Sequence, residues 1–540
     1  NYTLQPEMGT RRQQRAQHAT QAQMAAMRPA YSVQVAASAG TGKTHVLTLR
    51  FLRLLLEDFS LSPSDILAVT YTKAGATEMQ NRLTTVLGRW AVATEDALRK
   101  ELTYILEADP SEKVIHHARS LFTSVLDDPV GIRVMTVHSF CQSLLQQFPL
   151  EAGISAGFRI LEGREADALL QEQLAEAFTH MADWTPEDSL NWWAFSTMVS
   201  HLADATLQSE FKSYIDSRRR YERLFENGGG LDGVLQTLAE ALEITPPEPQ
   251  KPPNDVLTDL QTQHIQHIEK YRSLLKEFSE GLAQEGQRAL ERKEQLDIFL
   301  SAQGTAQQLQ ALPALIAVFE TDKNERRAKF VPAKLAKEKP ILVDDIEAFY
   351  DVLASQKETR NKYRTYFKTA SYLVMAHTIS RRYADVKNSR GFLDFEDLIH
   401  HCKNLLAGDA GKAAWVRFKM DGRLHHIMLD EAQDTDSDQW EIIRALIDDF
   451  FAGQGQHDGN HEDGANEQRP HRTFFAVGDG KQAIYRFRGA ERHVFEAMHP
   501  AVQQLAAPSG HQVHFVDLNT SFRSSDVILD FVDQVFAAPE

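Results

Sequence analysis

Apolar positions follow two rhythms along this chain. In four places a short β-branched or apolar run stops at a polar turn that leads into a helical pattern. Tyr31–Ala36 runs into SAGTGKT, Ile66–Thr70 into YTKAGATEM, His426–Leu429 into DEAQDT, and Thr473–Val477 into GDGKQ. Strand, turn and helix in that order are the writing of a parallel sheet. The pattern predicts an α/β fold with ligands gathered beyond the carboxyl ends of the strands. Between about residues 151 and 385 the period becomes that of charged amphipathic helices, as in Ala166–His180 and Leu257–Leu300. A large, mainly helical domain inserted into the sheet domain is therefore expected.

The Pro-rich stretch Pro246–Pro253 reads as a semi-rigid linker within that insert, and a basic stretch, Lys323–Lys339, follows it. The Gly-, Asn- and His-rich Gly453–Pro470 reads as a disordered insertion between two sheet elements rather than a metal site. Composition narrows the class. At 42% hydrophobic and 25% charged, the 540 residues suit a soluble multidomain protein and exclude a collagenous or wholly disordered chain. No apolar run approaches the ~18 residues of a membrane span, and the first residues lack the apolar core of a secretory signal. Two cysteines, Cys141 and Cys402, make neither a disulfide framework nor a cluster site, which suits a reducing, cytoplasmic setting. The net charge of −17 argues against coating nucleic acid by bulk charge and leaves a local groove open.

The chemistry lies in the turns. Ser38-Ala39-Gly40-Thr41-Gly42-Lys43-Thr44 follows the first strand and opens a helix expected over His45–Phe59. Its glycines free backbone N–H groups to wrap a polyphosphate, Lys43 reaches the β- and γ-phosphates, and the Thr44 hydroxyl ligates Mg2+. The strict pattern has Gly where this chain has Ala37. Asp430 and Glu431 end the third strand, where one carboxylate can hold Mg2+ and the next can polarise the attacking water. The guanine-reading pattern NKxD is not matched, since Asn361-Lys362-Tyr363-Arg364 lacks its Asp, so ATP is preferred.

With these residues placed, the chain resembles the superfamily 1A DNA helicases of the UvrD/RecB group, and most of all the amino-terminal part of AddA-type helicase–nuclease subunits. Seven motifs occur in order. Gln23-x-x-Ala26 matches the Q motif, whose Gln reads adenine. Beside the phosphate loop and the Asp430-Glu431 motif, Thr70-Tyr71-Thr72-Lys73 matches motif Ia, with Tyr71 where the family has Phe. Thr136-Val137-His138-Ser139-Phe140-Cys141 matches the DNA-contacting motif Ib, and Phe148-Pro149-Leu150-Glu151-Ala152-Gly153 points to the AddA type. Leu393-Asp394-Phe395-Glu396-Asp397-Leu398 marks the return from the insert. Val477–Ala490 matches motif III, with Gly480 and Ala483 in place of Pro and Ser. There Gln482 falls on the γ-phosphate sensor and Phe487 on a base-stacking aromatic. Asn519-Thr520-Ser521-Phe522-Arg523-Ser524 matches motif IV, and Arg523 falls on an arginine that contacts the γ-phosphate.

The resemblance implies an ATP- and Mg2+-dependent motor moving 3′ to 5′ on single-stranded DNA, acting in recombinational repair of double-strand breaks. It implies DNA contacts by Tyr71, Thr72, His138, Phe140 and Phe487, catalysis by Lys43, Glu431, Gln482 and Arg523, and an AddB-type partner subunit in a bacterial, nucleoid-associated setting. The RecA-like domain 1A is expected in two pieces, 1–150 and 386–518, with the helical domain 1B over 151–385 and domain 2A beginning at 519. Later motifs and a nuclease signature are absent from these residues, which reads as an amino-terminal fragment. A UvrD-type repair helicase without nuclease, or a nucleotide-dependent DNA-binding module without motor activity, fits the same motifs.

Overall fold

The computed structural model describes residues 21–38, 40–182, 190–199, 204–248, 251–283, 286–321, 323–408, 410–421, 424–452, 472–483 and 492–537. Two compact units share the chain: Asn1–Glu162 with Gly391–Glu540, and Gly163–Arg390.

The first unit is built on strands β1 (Ser32–Ala37), β2 (Ile66–Thr70), β3 (Val134–Thr136), β6 (His426–Leu429), β7 (Thr473–Gly478) and β8 (Val513–Leu518). They form one sheet in the order β3-β2-β6-β7-β1-β8, and every neighbouring pair is parallel. Strands β4 (Arg159–Ile160) and β5 (Phe392–Leu393) pair separately, joining the end of the first piece to the start of the second. Helices α1 (Lys43–Glu57), α2 (Lys73–Val92), α3 (Glu112–Asp127), α4 (Val137–Gln147), α5 (Phe395–Ala407), α6 (Ser437–Ala452) and α7 (Arg492–Ala506) supply the covering layers.

The two-residue period of a strand sorts its side chains between two cores. Ile66, Ala68, Met428, Phe475 and Val477 enter one core with α1, α2 and α3. Their alternates Leu67, Val69, Ile427, Leu429, Phe474 and Ala476 enter the other with α4, α5, α6 and α7. In β1, Val33, Val35 and Ala37 take the first core, and Gln34 faces the second, its Nε2 donating to the Phe495 carbonyl at 3.0 Å. Burying side chains of this size contributes roughly 1.5–3 kcal/mol each. Ala37 causes no strain at the position where the strict pattern has glycine. It is the last residue of β1, in regular register with Leu518.

The second unit is helical. Pro253–Glu269, Arg272–Leu282, Gln287–Ser301 and Gly304–Phe319 pack with part of the 51-residue helix Pro340–Arg390 around Phe278, Phe319 and Phe349. Leu257–Leu300, continuous as a helical pattern, is thus divided among three helices. Pro253 opens the first of them, where its missing N–H costs nothing. The basic stretch Lys323–Lys339 is tied down by Arg326, whose guanidinium lies 5.4 Å from the Phe330 ring and 5.1 Å from the Tyr350 ring. Among the described residues no helix is long and apolar enough to cross a membrane. Gly453–Pro470, expected as a disordered insertion, lies outside the described residues.

Candidate active site

The carboxyl ends of β1, β6, β7 and β8 carry most of the residues expected to act on phosphate. Leaving β1, the chain turns back on itself: the Thr41 N–H and Oγ1 both donate to the Ser38 carbonyl, at 3.3 and 2.8 Å. Gly40 and Gly42 then adopt φ of +79° and +91°, a left-handed region open to glycine at no steric cost. A side chain at Gly40 would also lie 2.7 Å from Arg523 Cβ. Helix α1 begins at Lys43 with no acidic residue in its first turn, so its positive dipole end stays available to an anion. Thr44 is the next residue of that turn. Gln23, buried, donates from Nε2 to the Thr41 carbonyl at 3.0 Å and so braces the loop. Ala39 lies outside the described residues.

At the end of β6 the Asp430 N–H still joins the ladder, donating to the Val69 carbonyl at 2.8 Å. The next residue breaks away. Glu431 has φ +50°, a left-handed backbone costing a non-glycine residue roughly 1–2 kcal/mol. From there its carboxylate meets the Lys43 ammonium, Oε2 to Nζ at 2.7 Å, with the lysine side chain 12% and the glutamate 39% exposed. Its N–H donates to Asp430 Oδ1 at 3.0 Å. Burial first, and the Glu431 charge second, push the Asp430 carboxyl up to about 6. The same two causes raise Asp434 to about 6, and its buried Oδ1 has no hydrogen-bond partner among the described residues.

Among the described residues Glu431 pairs with Lys43, and Asp430 and Asp434 lie close enough to feel both charges. No group of three or more His, Cys, Asp or Glu among the described residues is arranged to hold a metal alone. A hard cation such as Mg2+ takes oxygen ligands, the kind that carboxylate and hydroxyl groups supply. The two residues expected to offer them, Asp430 and Thr44, stand just after β6 and in the first turn of α1.

Gln433 escaped the sequence reading. Its Nε2 donates to Glu431 Oε2 at 2.8 Å, and its Oε1 accepts from the Asp479 N–H at 2.8 Å. One amide thus joins the end of β6 to the turn after β7. A Cβ at Gly478 would sit 2.6 Å from that Oε1, which explains the glycine. No local pattern marked it: Gln433 is itself buried, at 2% exposed, between Ala432 and Asp434. Gln482 follows in the turn Gly480–Gln482 and is placed by its backbone, its N–H donating to the Asp479 carbonyl at 2.8 Å. The segment after β8 rests on the phosphate loop, with the Phe522 N–H donating to the Gly40 carbonyl at 2.8 Å. Arg523 is exposed there.

The residues expected at DNA divide. Tyr71 and Thr72 leave β2, and exposed Thr72 caps α2 by accepting from the Gly75 N–H at 3.0 Å. His138, in the first turn of α4, packs edge-on against Phe395 with ring centroids 5.2 Å apart. Burial first, and the Lys73 charge second, lower its pKa. Phe140 is a correction. At 7% exposed it packs into the core beneath α4, because a helix that leaves the sheet must bury one stripe, and Phe140 lies on it with Leu144. Phe487 lies outside the described residues.

Residues 18–503 match the family model of the UvrD/REP helicase N-terminal domain. Among curated proteins, the chain is 25% identical to the A subunit of the ATP-dependent helicase/nuclease of Bacillus licheniformis and 27% identical to that of Bacillus velezensis. Each match covers 93% of this chain and 38% of the relative. The protein of the same name from Listeria monocytogenes is 24% identical, over 94% and 38%. The chain therefore spans a little over a third of the length of these relatives.

Proposed function

The chain belongs to the UvrD/REP helicase N-terminal domain family, and on that premise we propose that it is the ATP-driven motor part of an AddA-type DNA helicase. In this reading it moves 3′ to 5′ along single-stranded DNA in the repair of double-strand breaks, beside an AddB-type partner subunit in the bacterial cytoplasm. Its sheet unit is domain 1A and its helical unit domain 1B, with domain 2A beginning near 519. The observation that carries the reading is the Lys43–Glu431 pair at the mouth of a left-handed phosphate loop, locked through Gln433 to the turn after β7.

Lys43 neutralises the β- and γ-phosphates of ATP, and the helix end behind it adds its dipole. Thr44 and Asp430 would hold Mg2+, which would neutralise charge developing on the phosphate oxygens. Glu431 takes the proton of the attacking water. Without nucleotide, Lys43 occupies that base. A phosphate that draws the ammonium away leaves Glu431 held by Gln433, so binding itself releases the base. Gln482 and Arg523 contact the γ-phosphate from the turns after β7 and β8, and Gln23 lies beside the adenine. Tyr71, Thr72, His138 and Phe487 meet the strand, where stacking on an aromatic is worth about 1–3 kcal/mol per base.

Titration of the purified chain with a fluorescent ATP analogue and Mg2+, with and without a single-stranded oligonucleotide, tests the reading. Saturable binding is expected, lost in Lys43→Ala and kept in Glu431→Gln. Equal binding by the wild type and Lys43→Ala would remove the phosphate-site assignment.

A further inference from the structure

We infer that Arg50 is a positioning residue for the phosphate loop: it holds the 26–31 stretch and, through it, keeps Gln23 on the Thr41 carbonyl. The inference rests on the nucleotide reading of that loop. Arg50 lies seven positions after Lys43 on α1, about 10 Å along the helix axis, and is completely buried. Its Nη1 donates to the carbonyls of Ala26 at 2.9 Å and Arg28 at 2.8 Å. Its Nη2 donates to the Tyr31 carbonyl at 2.7 Å and to Thr473 Oγ1 at 3.3 Å. The guanidinium lies 5.0 Å from the centre of the Phe475 ring. All four acceptors are neutral. Burial pulls the group down to about 9, so it stays cationic near neutral pH.

A buried cation persists only where oriented dipoles replace its water. Here three of the four acceptors come from one short stretch, and the buried Nε has no partner among the described residues. The Ala26 and Arg28 carbonyls end the helical residues 21–27, where a cation suits the negative end of the helix. Gln23 sits one turn earlier on that helix, and its amide ties the helix to the loop. A planar fork meets several carbonyls at once, as an ammonium at the same place cannot. The path from Arg50 to Thr41 therefore runs through two sets of hydrogen bonds and one rigid turn.

The test combines Arg50→Lys, Gln23→Ala and the double variant of this chain with two measurements: affinity for a fluorescent ATP analogue with Mg2+, and amide hydrogen exchange without nucleotide. Arg50→Lys and Gln23→Ala should each weaken binding about tenfold, and the double variant no more than the weaker single one, as expected of coupled residues. Exchange should quicken at 21–31 and at Thr41 in Arg50→Lys, but only around Thr41 in Gln23→Ala. A folded Arg50→Lys with wild-type affinity and unchanged exchange at the loop would overturn the inference. If Arg50→Lys does not fold, Gln23→Ala decides alone, and wild-type loop exchange in it is equally fatal. Should the wild type bind no nucleotide, the phosphate-site reading falls, and the exchange data still judge Arg50.

Discussion

The two ends of the same sheet handle buried charge in opposite ways. At the carboxyl end, Glu431 pairs with Lys43, the neighbouring Asp430 and Asp434 are pushed up to about 6, and Asp434 Oδ1 lacks a partner among the described residues. At the amino end, the chain before β1 and the residues Thr473 and Phe475 of β7 meet Arg50. Thr473 Oγ1 meets Arg50 and His426 Nδ1, and Ser32 Oγ accepts from the Phe474 N–H at 3.0 Å. Each end buries one polar atom without a partner among the described residues, Asp434 Oδ1 and Arg50 Nε, but only the first combines raised carboxyls with the strain at Glu431, while the second ties its cation to four neutral acceptors. Carboxyls crowded together gain from a ligand that brings positive charge, whereas a cation tied to several acceptors resists change. The difference separates a working edge from a foundation.

The largest expected effect lies at the working edge. Lys43→Ala and Glu431→Gln should each lower DNA-stimulated ATP hydrolysis by roughly a hundredfold or more, the scale of lost charge stabilisation or of a lost general base. Neither should move the unfolding midpoint much, because the pair is partly exposed. A large stability loss with residual turnover would make the pair structural and erase the contrast.

The foundation should answer the other way. Arg50→Met leaves three backbone carbonyls without their charged donor and should destabilise the chain by about 3 kcal/mol, the upper range for hydrogen bonds to a charged group. Urea unfolding measures it. A loss below about 1 kcal/mol would mean that water or a neighbour replaces the cation, and that the amino end is no foundation.

Much of the working edge was legible in the sequence, because a turn that handles phosphate needs particular residues at particular spacings. Lys43, Asp430 and Glu431 are named by such spacing, and the strands before them are short apolar runs. The foundation was not legible. Arg50 and Arg53 stand in the LTLRFLRLLLE stretch of α1, where no motif marks them, and both are buried, Arg50 on carbonyls and Arg53 on Glu57 and Glu107. What buries them is packing from distant segments, which no local period reports. The edge strands escaped for a related reason. β3 has three residues, and β8 leaves His514 and Phe515 exposed, so neither shows a buried run. Phe140 erred in the other direction: a motif position suggested a surface contact, and helix packing took it into the core.

Gln433 tests whether the working edge is one unit. Gln433→Ala removes a donor from Glu431 and the acceptor of the Asp479 N–H. Hydrolysis should fall about tenfold with nucleotide affinity unchanged, and stability by about 1–3 kcal/mol, the cost of leaving a buried N–H without its acceptor. Weakened binding instead would place Gln433 on the nucleotide rather than on the base.

The smallest effect concerns His138, in the first turn of the helix after β3 and so also at the carboxyl end. Burial and Lys73 lower its pKa in the folded chain. As pH falls below the ordinary histidine value of about 6.5, the unfolded chain takes up the proton first. The stability that depends on neutral His138 is therefore present above that pH and lost as pH falls through the lower, folded value. His138→Phe keeps a ring against Phe395 and removes the titration. Denaturant unfolding from pH 7.5 to pH 5 should show the variant losing less stability than the wild type on the acid side, with the other histidines contributing equally to both curves. Parallel curves would mean that His138 is solvated as freely in the folded chain as in the unfolded one, and the carboxyl end would then carry one strained group fewer than the contrast requires.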